Sequence, residues 1–498
     1  MVIQRQVSML RLQITDNHNW KTIAECSQDS SCLSEPEVAI IKSDLEQIAD
    51  VEIGKLKLND NPNLLVFPSN LNQYGDEISQ SHILSLNGNK ISTGNILGFV
   101  GVNNTQLDIK SRFAKNCEQD YFLHYMLQKV FSINLFDIQH TTSKQPIFDF
   151  LLYLFPHFLK KAMVQGLFKK YRRFEYNDAN VRGPIDVNRH IRENIPFRGT
   201  VAYSTREHSY DNEITQLVRH TIEFIRAKTQ GSTILNNDLE TKDCVSQIVM
   251  ATQTYNVRER NKIINKNLRP VRHPYFSAYT DLQKICLQIL RHESIKYGQE
   301  KDKVYGILFD GAWLWEEYLN KVFEENNLSI THPRNKIGEN GIQIYIGSKK
   351  YYPDFYKKGK DDIDGLKSIV LDAKYKRLGH GAIIDGQEDY ISNKISICRD
   401  DLFQMITYMH TLPAKHCALL YPIEPDELQN ANIFVSDSRK LKGYGGEIMG
   451  YGIKISAVKD LDEMDKTEKE MKSFWDEMKG TEEKLCKHLQ KTLSNIGS

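Results

Sequence analysis

The period of the apolar residues changes twice along this chain, and each change limits what the segment can fold into. In residues 1–115 apolar and polar positions alternate over short runs: NLLVFPSN, HILSLNGNKIST, NILGFVGVNN and TQLDIKSRF. A period of two marks a strand with one buried face. The N-G and G-N pairs between the runs supply turns. From about residue 120 the spacing becomes helical, in YFLHYMLQKVF and then FDFLLYLFPHFLKKAMVQGLFKKYRRF. Pro156 is expected to kink or divide the second run. Residues 175–215 are polar and carry Gly183, Pro184, Pro196 and Gly199, so extended segments and turns are expected there. Helical spacing returns in ITQLVRHTIEFIRAKT, LETKDCVSQIVMATQT and FSAYTDLQKICLQILRHES.

After about residue 300 helices and strands mix. LFDGAWLWEEYLNKVFEENN and DDLFQMITYMHTL read as helices, while IQIYIG, KYYPDFYKK, SIVLDAKYKR, CALLYP, NIFVS and IKISAV read as strands. The tail 460–492 reads as a densely charged amphipathic helix or helix pair, broken near Gly480. The expectation is a multidomain α+β chain. Residues 1–115 form a β-rich N-terminal domain, 116–300 a mainly helical middle, 301–460 an α/β domain and 461–498 a charged helical tail.

A chain of 498 residues can bury ordinary cores without disulfides or metals. Its 65 basic and 64 acidic residues give a net charge of +1, which excludes a wholly basic nucleic-acid coat but not a local basic groove. The eight cysteines show no C-x-x-C spacing, which argues against a zinc ribbon or a thioredoxin-like site and for reduced, buried thiols. Arg5 and Arg11 interrupt the N-terminus, so no signal peptide is expected. The most apolar stretch, 148–159, is too short to span a bilayer and contains Asp149, Pro156 and His157. A cytoplasmic protein without membrane attachment is expected. The motifs H-E-x-x-H, H-x-x-E-H and G-x-S-x-G are absent, which disfavours zinc and serine hydrolases. The phosphate-loop motif G-x-x-x-x-G-K-(S/T) is absent too, so the chain itself is not expected to bind a nucleotide.

The chemistry concentrates in the last third. Pro353-Asp354 opens one strand-like run, and Asp372-Ala373-Lys374 lies within another. Residues two apart in a strand share a face, so Asp372 and Lys374 point the same way. The polar connector KKGKDDIDGLK makes a hairpin natural, and Asp354 on the neighbouring strand completes the cluster. Alone, such short strings mark a turn and an exposed ion pair more often than a site. Here, however, two charges interrupt a strongly apolar strand, which is costly unless they are paired or functional. Gln404 and Tyr408 follow at i, i+4 spacing on one helix face. Glu316, in LWEEYL, is a further candidate acid. Two carboxylates suit Mg²⁺, which neutralises phosphate charge and acidifies bound water. A lysine beside them can orient that water. Phosphodiester hydrolysis is the natural reaction.

PD…DAK followed by Q-x-x-x-Y resembles the PD-(D/E)XK nuclease fold. The chain more narrowly resembles the McrC-like endonuclease subunits of modification-dependent restriction systems, including the related LlaJI-type proteins. GFVGVNNTQLDIKSRFAK is similar to their glycine- and valine-rich strand leading into a basic segment. VRGPIDVNRHIRENIPF and YDNEITQLVRHTI are similar to their R-G-x-(I/L)-D and D-N-x-x-(N/T)-x-L-(I/V) segments. The resemblance spans about residues 85–425. It implies that Asp354 and Asp372 are metal-binding acids, with Glu316 a weaker match, and that Lys374 is the catalytic lysine. Gln404 and Tyr408 match the helix pair that supports the site. The acid before Lys374 is Asp rather than Glu, and Trp315 stands in place of the usual Phe.

The resemblance also implies a partner, an AAA+ motor of the McrB kind that hydrolyses GTP or, in some relatives, ATP, and a double-stranded DNA substrate. The N-terminal domain would dock into the motor ring, where Lys110, Arg112 and Lys115 are candidate contacts. A second basic stretch holds Lys160, Lys161, Lys169, Lys170, Arg172 and Arg173, interleaved with Phe168 and Tyr171. Of these, Lys169, Lys170, Arg172 and Arg173 are the candidate DNA contacts. Two rival readings stand beside a motor-dependent nuclease: a free-standing restriction endonuclease, and a non-catalytic regulatory subunit of an AAA+ ring.

Overall fold

The computed structural model describes residues 10–28, 33–58, 64–68, 79–114, 120–131, 146–228, 231–236, 238–296, 304–333, 342–343, 350–359, 368–377, 398–424, 433–435, 439–443, 445–456 and 466–497. These residues form thirteen α-helices and several β-sheets. The chain divides into two compact units, one built from residues 1–139 and 301–498, the other from 140–300. Among the described residues, no helix is long and apolar enough to cross a membrane.

The first unit holds a five-stranded sheet in the order Leu10–Thr15, Thr105–Lys110, Ile96–Val102, Val304–Asp310, Leu64–Phe67. The expected N-terminal runs are there. Val102 pairs with Thr105 across Asn103, whose φ of 50° gives the hairpin its left-handed turn. Asn87 pairs with Lys90 around Gly88, at φ 61°. Val304–Asp310 lies between Ile96–Val102 and Leu64–Phe67, so residues distant in sequence complete the N-terminal sheet. Glu35–Leu45 adds a helix that the alternation did not announce, begun by Pro36 and a Ser34–Glu37 capping box. Its Ile41 and Leu45 join a core with Leu12, Ile14, Val100, Leu107 and Leu308.

The same unit carries a six-stranded mixed sheet, ordered Phe355–Lys357, Ser368–Ala373, Ala414–Ile423, Glu447–Lys454, Ile433–Val435, with Arg439–Lys440 also on Glu447–Lys454. Ser368–Ala373, Ala414–Ile423 and Glu447–Lys454 run parallel. Parallel strands are covered on both faces, which explains the unbroken apolar runs SIVL and CALLYP. Helix Arg399–Thr411 covers one face with Met405, Tyr408 and Met409. The tail is a single helix, Lys466–Gly497, that runs through Gly480 instead of breaking there. Trp475 Nε1 donates to Gln128 at 2.9 Å, and buried Glu482 accepts from Tyr125 and Tyr318 hydroxyls at 2.6 and 2.9 Å. These anchors fix the helix on either side of Gly480, where glycine alone would weaken it.

The second unit begins with helix Pro146–Met163, and here the expected division at Pro156 does not occur. Leu152, Phe155, Phe158 and Leu159 are buried on both sides of the proline, and that packing outweighs the one lost backbone bond. The break comes at Gly166, at φ 85°, whose N–H donates to Met163 O. Residues Lys170–Asp178 then form a strand, not a continued helix, paired antiparallel with Val201–Ser209. Between them lies helix Val187–Asn194, capped by Asp186, in a segment expected to be extended. Glu213–Arg226 follows as the expected amphipathic helix, capped by Asn212.

Candidate active site

Strand Ser368–Ala373 carries the site. It runs antiparallel to Phe355–Lys357, with Phe355 opposite Leu371, so Asp354 lies one step beyond the last pair and beside Asp372. Asp354 Oδ2 accepts the Ala373 N–H at 2.6 Å, which ties the Asp354 side chain to the backbone next to Asp372. Asp372 is 1% exposed. Its carboxylate lies 2.5 Å from the Lys374 ammonium on the same strand face. Gln404, from the covering helix, accepts from Lys374 Nζ at 2.9 Å and donates to Asp372 Oδ1 at 3.4 Å and to Tyr408 OH at 3.3 Å. The structure thus brings together Asp372, Lys374, Gln404 and Tyr408, with Asp354 at the neighbouring strand end.

Electrostatics follow from burial. Burial raises the Asp372 pKa, and the Lys374 ammonium opposes that rise. Burial pulls Lys374 downward, but the Asp372 and Asp354 carboxylates outweigh it and leave its pKa raised. Burial likewise pushes the Tyr408 phenol up to about 12, so it stays protonated as a donor or acceptor. Asp372 is a carboxylate that needs nearby positive charge to remain ionised, and Lys374 supplies one such charge.

Glu316 lies elsewhere. On helix Gly311–Glu325 it sits 3.7 Å from His332 Nε2, with Glu317 at 3.5 Å. His332 Nδ1 donates to the Asp354 carbonyl at 2.7 Å, so this imidazole touches both the Glu316 carboxylate and the Asp354 backbone. Among the described residues, no three His, Cys, Asp or Glu side chains form a group able to hold a metal. Asp354, Asp372 and Glu316 are thus not found as such a group, and one contact of Glu316 is with His332. Trp315, the next residue, donates Nε1 to Leu420 O at 3.2 Å and serves as the large buried anchor.

The family model for the McrBC 5-methylcytosine restriction system component matches residues 91–422, two thirds of the chain. The chain belongs to this McrBC family. Two solved structures are similar to it. A refined half-complex from a tetradecameric assembly of Thermococcus gammatolerans McrB AAA+ hexamers with bound McrC matches at 16% identity and a TM-score of 0.47, covering 94% of this chain and 99% of that one. The cryo-EM structure of the Thermococcus gammatolerans McrBC complex matches at 14% identity and a TM-score of 0.34, covering 65% and 89%. No curated protein matches the chain.

The matched McrBC region includes every acid, the lysine and the glutamine of the site. It also includes the two basic stretches, which the structure treats differently from their sequence reading. Lys169 is exposed, and Lys170, Arg172 and Arg173 lie on a strand. A period of two turns Lys170 and Arg172 to one face and Arg173 to the other, so the four residues do not share one helical face. Lys170 pairs with Glu213, Arg172 Nη1 donates to Asp211 O at 3.2 Å, and Arg173 is 3.7 Å from Asp186. Of the N-terminal candidates, Lys110 is half-buried at the end of its strand and Lys115 lies outside the described residues. Arg112 is buried and 3.2 Å from Asp16, turned inward rather than toward a partner.

Sequence reasoning missed a second ion pair at the site. Lys376 Nζ lies 2.5 Å from Asp401, which also accepts from Tyr421 OH at 3.1 Å. The available signal was the repeat K-x-K at 374 and 376, just past the strand end at Ala373, with an acid three residues before Gln404. His332 had no such signal, because its partner Asp354 is 22 residues away.

Proposed function

We propose that this chain is the Mg²⁺-dependent nuclease subunit of an McrBC-like restriction complex, cutting phosphodiester bonds of foreign or modified double-stranded DNA. One observation carries the reading: two acids on adjacent strands, Asp354 and Asp372, converge with Lys374, whose ammonium is shared between Asp372 and Gln404. The mixed sheet with a helix crossing its central strands is consistent with a PD-(D/E)XK core. The donor chemistry suits Mg²⁺, which takes hard oxygen ligands, keeps several waters and uses one or two protein carboxylates together with substrate phosphate. Asp354 and Asp372 would hold it, and the raised pKa of Asp372 marks a buried carboxylate that gains from added positive charge. Bound there, the ion would supply charge neutralisation at the phosphate and a more acidic water.

The chain's own residues supply the rest. The Lys374 ammonium, fixed by Asp372 and Gln404, faces the position where negative charge develops and can donate a hydrogen bond to the attacking water or a phosphate oxygen. Gln404 keeps the ammonium from rotating away, and Tyr408 keeps Gln404 in place. Asp354 holds the strand end through the Ala373 N–H.

The partner would be an AAA+ ring of the McrB kind using GTP or ATP, docked by the region of residues 1–115, in the cytoplasm. Lys110 and Lys115 remain the candidate contacts to test for that docking, and Lys169, Lys170, Arg172 and Arg173 those for DNA. The reading separates two activities of one chain. Asp372→Ala should abolish DNA cleavage, a loss of at least about 10³-fold, and leave stimulation of the motor's nucleotide hydrolysis at the parental level. Loss of both activities in a variant that melts normally would contradict it. Motor stimulation by the parental chain without any cleavage would favour the regulatory subunit, and cleavage without motor or nucleotide the free-standing enzyme.

A further inference from the structure

The strand that bears Asp372 and Lys374 leaves its sheet at Tyr375, and what receives it is the other sheet of the same unit. Four neighbouring strands of the five-stranded sheet come to one end there, because their registers align Thr15 with Lys110, Gly98 with Ile109 and Asp310 with Ile96. The residues just past that end are Asp16, Ser111, Arg112, Phe113, Asn95 and Gly311. All of them converge on Tyr375 or on the group that grips it.

The contacts are specific. Arg112 Nη2 donates to the Tyr375 carbonyl at 3.0 Å and to Asn95 Oδ1 at 2.7 Å, and lies 3.2 Å from Asp16 Oδ2. The Arg112 N–H donates to Asp16 Oδ1 at 2.6 Å. The guanidinium also covers the Tyr375 ring at 4.9 Å, and Phe113 meets that ring edge-on at 5.2 Å. Ser111 Oγ shares a hydrogen bond of 2.8 Å with Tyr375 OH. Gly311 approaches so closely that a Cβ there would meet Tyr375 Cε1 at 2.7 Å. Two residues on, Arg377 donates to the Arg112 carbonyl at 3.3 Å and pairs with Glu424 at 2.7 Å. On the other side the Lys374 N–H donates to Leu420 O at 2.9 Å, the same carbonyl that Trp315 uses.

We propose that Arg112 is a positioning residue for Lys374, fixing the lysine's backbone by clasping the Tyr375 carbonyl from the far sheet. The inference rests on the nuclease reading above for what Lys374 does, but not for the clasp itself. A buried ion pair alone would be weak evidence for anything beyond packing. Here one nitrogen, Nη2, donates to a backbone carbonyl and an amide at once while the guanidinium plane lies over the Tyr375 ring, and a lysine's point-charge ammonium lacks that planar stacking. The carbonyl belongs to the residue adjacent to Lys374, so a loosened Tyr375 moves the lysine's Cα. Lys374 Nζ, only 2.5 Å from Asp372, then loses its fixed geometry. The clasp also places the N-terminal sheet in direct mechanical contact with the site strand.

The test is Arg112→Lys in the full chain, which keeps the positive charge beside Asp16 while removing the planar group that reaches the Tyr375 carbonyl and covers its ring. Hydrogen–deuterium exchange should quicken by about tenfold in the segment 371–377, the change expected on losing a hydrogen bond to a charged group, with Leu10–Thr15 and Ala414–Ile423 unchanged. In the assembled complex with Mg²⁺ and nucleotide, kcat for DNA cleavage should fall by about tenfold or more at unchanged KM. Unchanged exchange in 371–377, or an equal rise throughout the unit, overturns the clasp. Local opening with parental cleavage overturns the positioning role. Local opening in a chain whose parent never cleaves DNA upholds the clasp and contradicts the nuclease reading instead. Should Arg112→Lys fail to fold, Tyr375→Phe removes only the hydroxyl bond to Ser111 and should open the same segment to a smaller degree. No opening in that variant counts against the clasp.

Discussion

Gln404 is the residue on which the site's geometry turns, because one amide meets three partners: Lys374, Asp372 and Tyr408. Gln404→Ala should lower the cleavage rate by about 10–100-fold, the usual cost of losing a group that orients a site ligand, while the melting temperature changes little. A parental rate in that variant would show that Lys374 is held by Asp372 alone. Asp16 makes a second prediction at this scale. Burial raises its pKa to about 7, against the pull of Arg112. Asp120, whose carboxylate accepts the Ser111 N–H, is likewise raised by burial to about 6. A raised carboxylate pKa means that the folded state holds the proton more tightly. The stability from protonated Asp16 is fully present below its unfolded value near 4 and is lost as pH rises toward 7. Asp16→Asn should remove part of this fall, read as a flatter dependence of the urea midpoint on pH across that interval. An identical slope in the two proteins would contradict the assignment.

The site pair was legible because it is local: a strand's period of two puts Asp372 and Lys374 on one face, and a helix's i, i+4 spacing does the same for Gln404 and Tyr408. Arg112 misled for the opposite reason. It stands between Lys110 and Lys115 in sequence, whereas its partners Asp16 and Tyr375 are 96 and 263 residues away. The His332 that touches both Glu316 and Asp354 is likewise visible only in the fold.

Among elements, the hairpins of the N-terminal sheet and the parallel strands of the second sheet were readable from alternation and from unbroken apolar runs. The basic stretch 160–173 was not, because helical spacing continues into it until Gly166 ends the helix, and the alternation of Lys170–Asp178 involves mostly exposed side chains. A glycine mattered there and a proline did not. The tail shows the reverse case. Gly480 lies inside helix Lys466–Gly497 with no heavy atom within 4 Å of where a Cβ would stand. Gly480→Ala should therefore stabilise the protein by about 0.5–1 kcal/mol, seen as a higher denaturant midpoint at unchanged slope. Destabilisation would mean that the helix bends at this residue.

For the whole molecule, the sequence shows two changes of period and so three main regions, but the chain makes two units, with residues 140–300 inserted into the unit formed by 1–139 and 301–498. Periodicity cannot reveal that Val304–Asp310 belongs with Ile96–Val102, because pairing partners in a sheet are set by the tertiary core and not by local pattern. The consequence is functional. The strand that completes the N-terminal sheet runs straight into the helix bearing Trp315, which is bonded to the site's sheet. The proposed docking region and the candidate site therefore share one folded unit. The central claim is that this unit is a metal-dependent nuclease driven by a motor. The most direct measurement is cleavage of supercoiled plasmid, modified and unmodified, by the purified chain with an McrB-like motor, nucleotide and Mg²⁺, beside the Asp372→Ala chain and a lane with chelator. The account predicts cutting in the complete mixture, and none with Asp372→Ala or chelator. Cutting by Asp372→Ala at the parental rate, or cutting that survives chelation, would contradict it.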